Sequence, residues 1–285
     1  MRQQLEQMLE QFHDLDAIFM LSLSEKILLT PLALQKRIRV FWVEHDRVGV
    51  WLTKNPWLAT LRELSGSVKT IVVSDLSKKM YEELGFKNVV AIPNGIDRTR
   101  FQSPPPVAQS TGSPLRLHVG SVSRLTPDKG VDLLIQAVKD IPQVDLTIIG
   151  SGREEGYLRT VIGSDDDRIR IFPKTPDLGA FYRSLDALVL PSREHDPFGL
   201  VAAEAMSLGI PVMVTEVCGI AGYLHDGEDA LIVRADDVMA LKQGIERMLD
   251  PQIREHLARA GKETAIHKFS LSSMVDAYED VLRNA

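Results

Sequence analysis

Residues 191 to 211 read Pro-Ser-Arg-Glu-His-Asp-Pro-Phe-Gly-Leu-Val-Ala-Ala-Glu-Ala-Met-Ser-Leu-Gly-Ile-Pro, and they concentrate the chemistry of the chain. Glu194, His195 and Asp196 make a polar turn after the apolar run Ala187 to Leu190. Pro197 and Gly199 then shape the entry to a helix that starts near Leu200 and carries Glu204 in its first or second turn. The first N–H groups of a helix have no intrahelical partner, so an anion is favoured there. A strand, a glycine-bearing turn and a helix start together suit a phosphate-bearing ligand. Asp196 and Glu204 flank those donors, eight residues apart. The same residues also suit plain structure, with Glu194 and Asp196 capping the helix and Glu204 exposed on it.

A second candidate is Gly120-Ser121-Val-Ser-Arg124-Leu-Thr-Pro-Asp-Lys129-Gly130. It offers a close-approaching backbone, one Arg, one Lys and then a helix start. Arg clamps phosphate oxygens bidentately and Lys acts as a point charge. The Gly-x4-Gly-Lys-Ser/Thr order of a Walker A loop is absent. A helix-starting loop with two surface cations is the alternative. His45 lies just past a buried strand, at the sheet edge expected to face the other domain; a core histidine or a helix cap is the other reading. Gly150-Ser-Gly152 lacks the third glycine of a dinucleotide fingerprint. Asp165-Asp166-Asp167 contains Asp-x-Asp, but in a turn between helix and strand, where a solvated loop is expected. No His/Cys spacing suggests zinc and no Gly-x-Ser-x-Gly elbow suggests a hydrolase.

Alternating elements must hold these groups. The spacing of Leu5, Met8, Leu9 and Phe12 predicts a helix over 2–13. Strands are expected at 17–21, 39–43, 70–73 and 89–92, with helices at 24–36 (Pro31 a candidate kink), up to about Leu64, and from Ser74 or Asp75 to Gly85. Pro93-Asn94-Gly95 is a turn, and the Pro-rich run 102–114 reads as an interdomain linker. The second half repeats the rhythm, with strands at 115–119, 144–149, 169–172, 187–190, 211–214 and 231–233. Its helices start near Val131, Glu154, Asp177 and Leu200, followed by 236–249, 252–267 and a last amphipathic helix bearing Met274, Val275, Tyr278, Val281 and Leu282. This alternation implies mostly parallel sheets covered on both faces. The expected organisation is an N-terminal domain over 1–101, a C-terminal domain over 115–268, and a helix over 269–285 packing back on the first domain. In such sheets ligands bind beyond the carboxyl ends of the strands.

At 285 residues, two domains are the better expectation. Composition is ordinary, 44% apolar and 25% charged. Residues 1–106 hold 14 Lys+Arg against 12 Asp+Glu, and the remainder 19 against 27. That balance excludes the strongly basic face of a nucleic-acid binder, while the positive tilt of the first half admits an anionic acceptor or lipid surface. A single cysteine, Cys218, excludes an internal disulfide, fits a reducing cytoplasm and reads as a small buried residue. No run approaches the ~18 apolar residues of a membrane span, and the first residues lack the apolar core of a signal peptide.

The run Gly120 to Gly130, then Ile148 to Arg153, then Pro191 to Met206, then Asp226 to Val233, closely resembles glycosyltransferase family 4, retaining enzymes of the GT-B fold. Ile92 to Asp97 resembles the interdomain signature of that family. The match covers nearly all of residues 68–268, with the motifs in the same order and spacing. The resemblance implies two Rossmann-like doubly wound domains facing a cleft, and transfer of a sugar from a UDP-, GDP- or ADP-sugar to a glycan, lipid or small-molecule acceptor. It implies no metal and no further cofactor. Carried over position by position, Arg124 and Lys129 bind the diphosphate and stabilise the leaving group, and Glu204 binds the ribose hydroxyls. Asp196 stands where the family has the first Glu of its Glu-x7-Glu pair, toward the donor sugar. Gly120 and Ser121 open the donor-binding loop. Backbone N–H groups of Phe198, Gly199, Leu200, Val201 and Ala202 meet sugar and phosphate, and Phe172, Pro173 and Lys174 lie near the base. His45 resembles the histidine that reaches the transferred sugar.

Two departures stand out. Asp196 is one methylene shorter than the usual Glu, with Glu194 near enough to compensate. The N-terminal domain has four clear strands and no Gly-rich first loop, which reads as an incomplete domain. The alternatives are a truncated or degenerate relative that binds nucleotide sugar or a partner chain without transfer, and a nucleotide-sugar epimerase using His45 and Glu194. Trp42, Trp51, Trp57 and Asn55-Pro56 either line an acceptor site or pack internally. The expected location is the cytoplasm, with peripheral contact at the inner membrane face as the alternative.

Overall fold

The computed structural model describes residues 14–101, 116–164 and 166–284, together with Gln7 and Gln11. The rest of the helix expected over 2–13, the linker over 102–114 and Asp165 lie outside the described residues. The chain divides into two compact units, Met1–Pro93 with Val275–Ala285, and Asn94–Met274.

The first unit runs β1 (Ala17–Met20), α1 (Leu23–Gln35), β2 (Arg39–Glu44), α2 (Val50–Thr53), α3 (Leu58–Ser65), β3 (Lys69–Val72), α4 (Asp75–Glu83) and β4 (Val89–Ala91). Its strands pair in parallel in the order β1-β2-β3-β4. Parallel pairing requires a crossover between strands, which is why the helices alternate with them. β2 is apolar through its middle, and Val40, Phe41, Trp42 and Val43 are all buried. Helix α1 starts at Leu23 because Ser22 caps it: Ser22 Oγ accepts from Glu25 N at 3.2 Å while Glu25 Oε2 accepts from Ser22 N at 3.0 Å. Pro31 is carried inside this helix. Trp42 is fully buried and its indole N–H donates to Thr30 Oγ1 at 3.0 Å, so it belongs to the core and lines no acceptor site. Phe19 meets Tyr278 of the C-terminal segment at 6.1 Å, and Arg39 donates to Leu282 O at 2.5 Å.

The second unit runs β5 (Leu117–Val122), α5 (Val131–Lys139), β6 (Val144–Ile149), α6 (Glu155–Ile162), β7 (Ile169–Phe172), α7 (Leu178–Arg183), β8 (Ala187–Leu190), α8 (Leu200–Ser207), β9 (Val212–Thr215), β10 (Leu231–Val233), α9 (Val238–Arg247) and α10 (Pro251–Lys268). A final helix, α11 (Leu271–Arg283), follows. The sheet order is β10-β9-β8-β5-β6-β7, all parallel. All four residues of β8 and of β9 are buried, as strands covered on both faces must be. The chain leaves β5 toward β6 and β7, then returns to β8 on the other side. The β5/β8 boundary is therefore a topological switch point, where adjacent loops part and leave a crevice.

One element differs from the sequence expectation in a way that matters. β5 extends through Gly120, Ser121 and Val122, so Gly120 lies within the strand and not in the loop. Leu185 fills the space where a side chain at Gly120 would stand. At Gly120 the absence of a side chain admits Leu185.

Candidate functional site

Three segments meet at the switch point. The loop after β5 brings Ser123, Arg124 and Lys129; the loop after β8 brings Pro191, Ser192 and Asp196; and α8 brings its first turn. Together they enclose a cavity of about 190 Å³. Lys129 closes a short 3₁₀ turn, Pro127–Lys129, and Gly130 follows at φ 62 with Pro191 O pressed against its Cα. Any side chain at 130 would collide with that carbonyl while forcing a left-handed backbone. The two loops are further clamped by Arg193, which donates to Pro127 O at 2.8 Å, Asp132 Oδ2 at 2.7 Å and Asp236 Oδ1 at 2.7 Å. Gly150 and Gly152, unexplained as a dinucleotide motif, admit the backbone of Ser123 and Leu125 against the β6–α6 turn and so seat the Arg124 loop.

Inside the cavity Lys129 Nζ donates to Asp196 Oδ2 at 2.6 Å, and Ser192 Oγ donates to the same oxygen at 3.3 Å. Asp196 is fixed through its backbone, which donates to Val217 O and accepts from Gly219 N. Arg124 lines the same cavity and is exposed. Ser121 and Ser123 line it too, with their hydroxyl oxygens closed off from solvent and without a hydrogen-bond partner among the described residues. Gly199 caps α8 in a left-handed conformation, φ 94, with no side-chain acceptor. Leu200 and Val201, the first residues of α8, form part of the cavity wall.

Other expected residues stand elsewhere in this unit. Glu204 does not line this cavity. It is 7% exposed, which removes the reading of a surface helix residue, and it accepts from Tyr182 OH at 2.7 Å. Burial pushes its carboxyl above the usual range, and the Tyr182 hydroxyl and nearby Arg100 pull it partly back. Burial and the Glu204 carboxylate push the Tyr182 phenol up in turn. Phe198 turns its ring into the core against Phe269 and its carbonyl accepts from Ile220 N, while Ala202 is buried within α8 and its N–H donates to Gly199 O at 2.9 Å. Phe172, Pro173 and Lys174 sit exposed at the end of the edge strand β7, outside the cavity lining. Glu194 is exposed, and its backbone N–H donates to Asp128 O. Asp166 pairs with Arg168 at 2.7 Å, so this part of the acidic run is a structural turn. Among the described residues no group of three or more His, Cys, Asp or Glu side chains converges as a metal site.

His45 belongs to the first unit, directly after β2. Partial desolvation pushes its imidazole below the usual range and Lys26 adds to this, while Asp46 opposes it. Sequence reasoning missed Tyr182, Ser123 and Ser192. Ser123 and Ser192 lay inside motifs already singled out, whereas nothing local marks Tyr182.

A family model described as glycosyl transferases group 1 matches residues 113–265. The chain is 32% identical over 193 residues to the lipopolysaccharide core biosynthesis glycosyltransferase LpsE of Rhizobium meliloti (strain 1021), a match covering 66% of this chain and 53% of the relative. It is 31% identical over 224 residues to a phosphatidyl-myo-inositol mannosyltransferase of Mycobacterium leprae (strain TN), covering 74% and 59%. The chain thus spans a little over half the length of these curated relatives. Among solved structures it resembles Anabaena Alr3699/HepE in complex with UDP, with a TM-score of 0.88 at 20% identity, covering 100% of this chain and 82% of that one. It also resembles sucrose-phosphate synthase from Thermosynechococcus elongatus, with a TM-score of 0.81 at 23% identity, covering 98% and 75%. These likenesses place the two parallel-sheet, Rossmann-like units in the GT-B fold class. No helix of the described residues is long and apolar enough to cross a membrane.

Proposed function

The chain belongs to the glycosyl transferases group 1 family, and from that premise we propose that it moves a sugar from a nucleoside-diphosphate donor to a glycan, lipid or small-molecule acceptor, in the manner of glycosyltransferase family 4. The observation that carries this reading is the switch-point cavity, lined by Arg124, Lys129 and the start of α8, a helix with no side-chain cap. That donor set fits a diphosphate, which presents several acceptor oxygens and negative charge.

Cleavage of the glycosidic bond to the diphosphate builds charge on the leaving oxygen. Cations and N–H donors already held in place stabilise that charge as it forms, without reorganisation. In this reading Arg124 and Lys129 take the phosphates, and Lys129 leaves Asp196 as it does so. Asp196, released, accepts from hydroxyls of the donor sugar. Glu204, held by Tyr182, accepts from the ribose, and Phe172 to Lys174 flank the base. Retention of configuration follows the family resemblance: the bond to the diphosphate breaks through an oxocarbenium-like state, the acceptor oxygen bonds to the anomeric carbon on the face the diphosphate leaves, and its proton passes to a leaving phosphate oxygen. His45 is assigned to the transferred sugar on that resemblance alone. UDP is the first nucleotide to try, since Alr3699/HepE is a UDP complex.

Calorimetry tests the reading. UDP or GDP should bind the full chain, and Arg124→Ala should weaken binding about tenfold or more, as loss of a charge-assisted contact does. Unchanged affinity in Arg124→Ala, or no affinity for any nucleoside diphosphate, would sink the assignment. Release of nucleotide from a nucleotide sugar separates transfer from binding alone.

A further inference from the structure

The segment between β2 and α3 breaks local rules in order to expose apolar side chains. Val50, Trp51 and Trp57 are 66%, 44% and 52% exposed. Leu52, between them, is 2% exposed and anchors the segment to the core. Helix α2 is capped by Gly49 and α3 by Trp57, neither with a side-chain acceptor. Asp or Ser at 57 would stabilise the helix start and be at home in water. A tryptophan there works against both solubility and capping, the kind of local inconsistency expected at functional surfaces.

The aromatic groups are also fixed in place. Trp51 Nε1 donates to Arg47 O at 2.7 Å, so its one polar atom is used internally and the exposed remainder of the ring is apolar. Asn55 ties the two tryptophans together: Nδ2 donates to Trp51 O at 3.2 Å and Oδ1 accepts from Trp57 N at 2.9 Å. Two cations flank the segment, Arg47 and Lys54, against one acid, Asp46. Preset tryptophans with adjacent cations match the chemistry of the membrane interface, where amphipathic rings sit at headgroup level and Lys or Arg meet anionic lipid.

We propose that the 47–57 segment is a peripheral docking surface for a bilayer bearing anionic headgroups, with Val50, Trp51 and Trp57 entering the interface and Arg47 and Lys54 meeting lipid phosphates. The inference does not rest on the donor site, and its failure is separable from a failure of that reading by measuring nucleotide affinity in the same variants.

The test is flotation of the full chain with vesicles of phosphatidylcholine alone or mixed with phosphatidylglycerol, with tryptophan emission read in parallel. Trp42 is buried, so a blue shift reports Trp51 and Trp57. The expected result is binding to the anionic vesicles at least tenfold stronger than to the neutral ones, weakened by salt, and quenching of emission by brominated lipid. Trp51→Ser with Trp57→Ser should lower binding at least tenfold while melting temperature and nucleotide affinity stay as in the parent. Brominated-lipid quenching of the unmodified chain gives an answer even if the double variant folds poorly. Three results each overturn the proposal: equal or absent binding to the two vesicle types, an emission shift caused by soluble oligosaccharides and not by vesicles, or a concentration-dependent dimer that the double variant abolishes.

Discussion

The molecule contains two lysine–carboxylate pairs set beside the carboxyl ends of parallel strands, one in each unit. Lys26 Nζ lies 2.8 Å from Glu44 Oε1 at the end of β2, and Lys129 Nζ lies 2.6 Å from Asp196 Oδ2 beyond β8. By distance they are alike. Their surroundings are not. Lys26 and Glu44 are 3% and 9% exposed, and Lys26 also donates to Val43 O at 3.2 Å. Burial pushes the Glu44 carboxyl up and the ammonium pulls it back. Lys129 and Asp196 are each 13% exposed and line a cavity with an exposed arginine. The first pair is a closed account of charge inside the fold. The second faces open space that it shares with a further cation, Arg124. Function is read from what surrounds a pair, not from its length.

The largest effect should come from breaking the closed pair. Lys26→Met leaves Glu44 buried without its cation, with Tyr81 beside it, and removing one partner of such a pair costs about 3–5 kcal/mol. Chemical denaturation should register that loss, and a cost below about 1 kcal/mol would erase the contrast drawn here. Lys129→Met should do the opposite: nucleotide affinity falls about 10- to 100-fold by calorimetry, with a smaller change in stability than at Lys26. A stability loss equal to that of Lys26→Met, with affinity intact, would make the two pairs the same kind of object.

Tyr182→Phe removes the donor to Glu204 and should cost about 1–2 kcal/mol. It also tests sign. The Glu204 carboxyl is raised in the folded state, so the native protein holds that proton more tightly than the unfolded chain. The group therefore costs stability as pH rises from the ordinary value of 4.5 through the raised folded value. Loss of the Tyr182 donor should extend that decline to higher pH, and Glu204→Gln should flatten it. Denaturant melts across the acid range decide between these outcomes. The smallest effect is at His45, whose imidazole should titrate below 6.5 in a proton NMR experiment. A midpoint at or above that value would remove the influence assigned to its partial burial and to Lys26.

Much of the donor-side architecture was legible because it is local. A buried run, a turn with glycine and a helix start are short-range patterns, and they located the Arg124–Lys129 loop and the start of α8 correctly. Gly120 was placed one step outside its strand because nothing along the chain shows that Leu185 packs against it there. Trp42, Trp51 and Trp57 form one aromatic cluster in sequence. The first lies in a strand buried on both faces, with its indole N–H on the Thr30 hydroxyl, while the turns around Asn55 hold the other two exposed. Asp196 and Glu204 looked like equals at a fixed spacing. One lies in the cavity with Lys129, and the other is buried against Tyr182.

By itself the sequence determined the two α/β units, the residue types able to meet a diphosphate, and the order in which they occur, since periodicity, caps and turn chemistry act within a few residues. The tertiary structure alone decided who pairs with whom. Lys129 reaches Asp196, Tyr182 reaches Glu204, and Arg193 ties three segments, because a parallel sheet brings loops distant in sequence to one switch point. Coulombic and hydrogen-bond energies depend on that proximity and on burial, and neither is written in spacing along the chain.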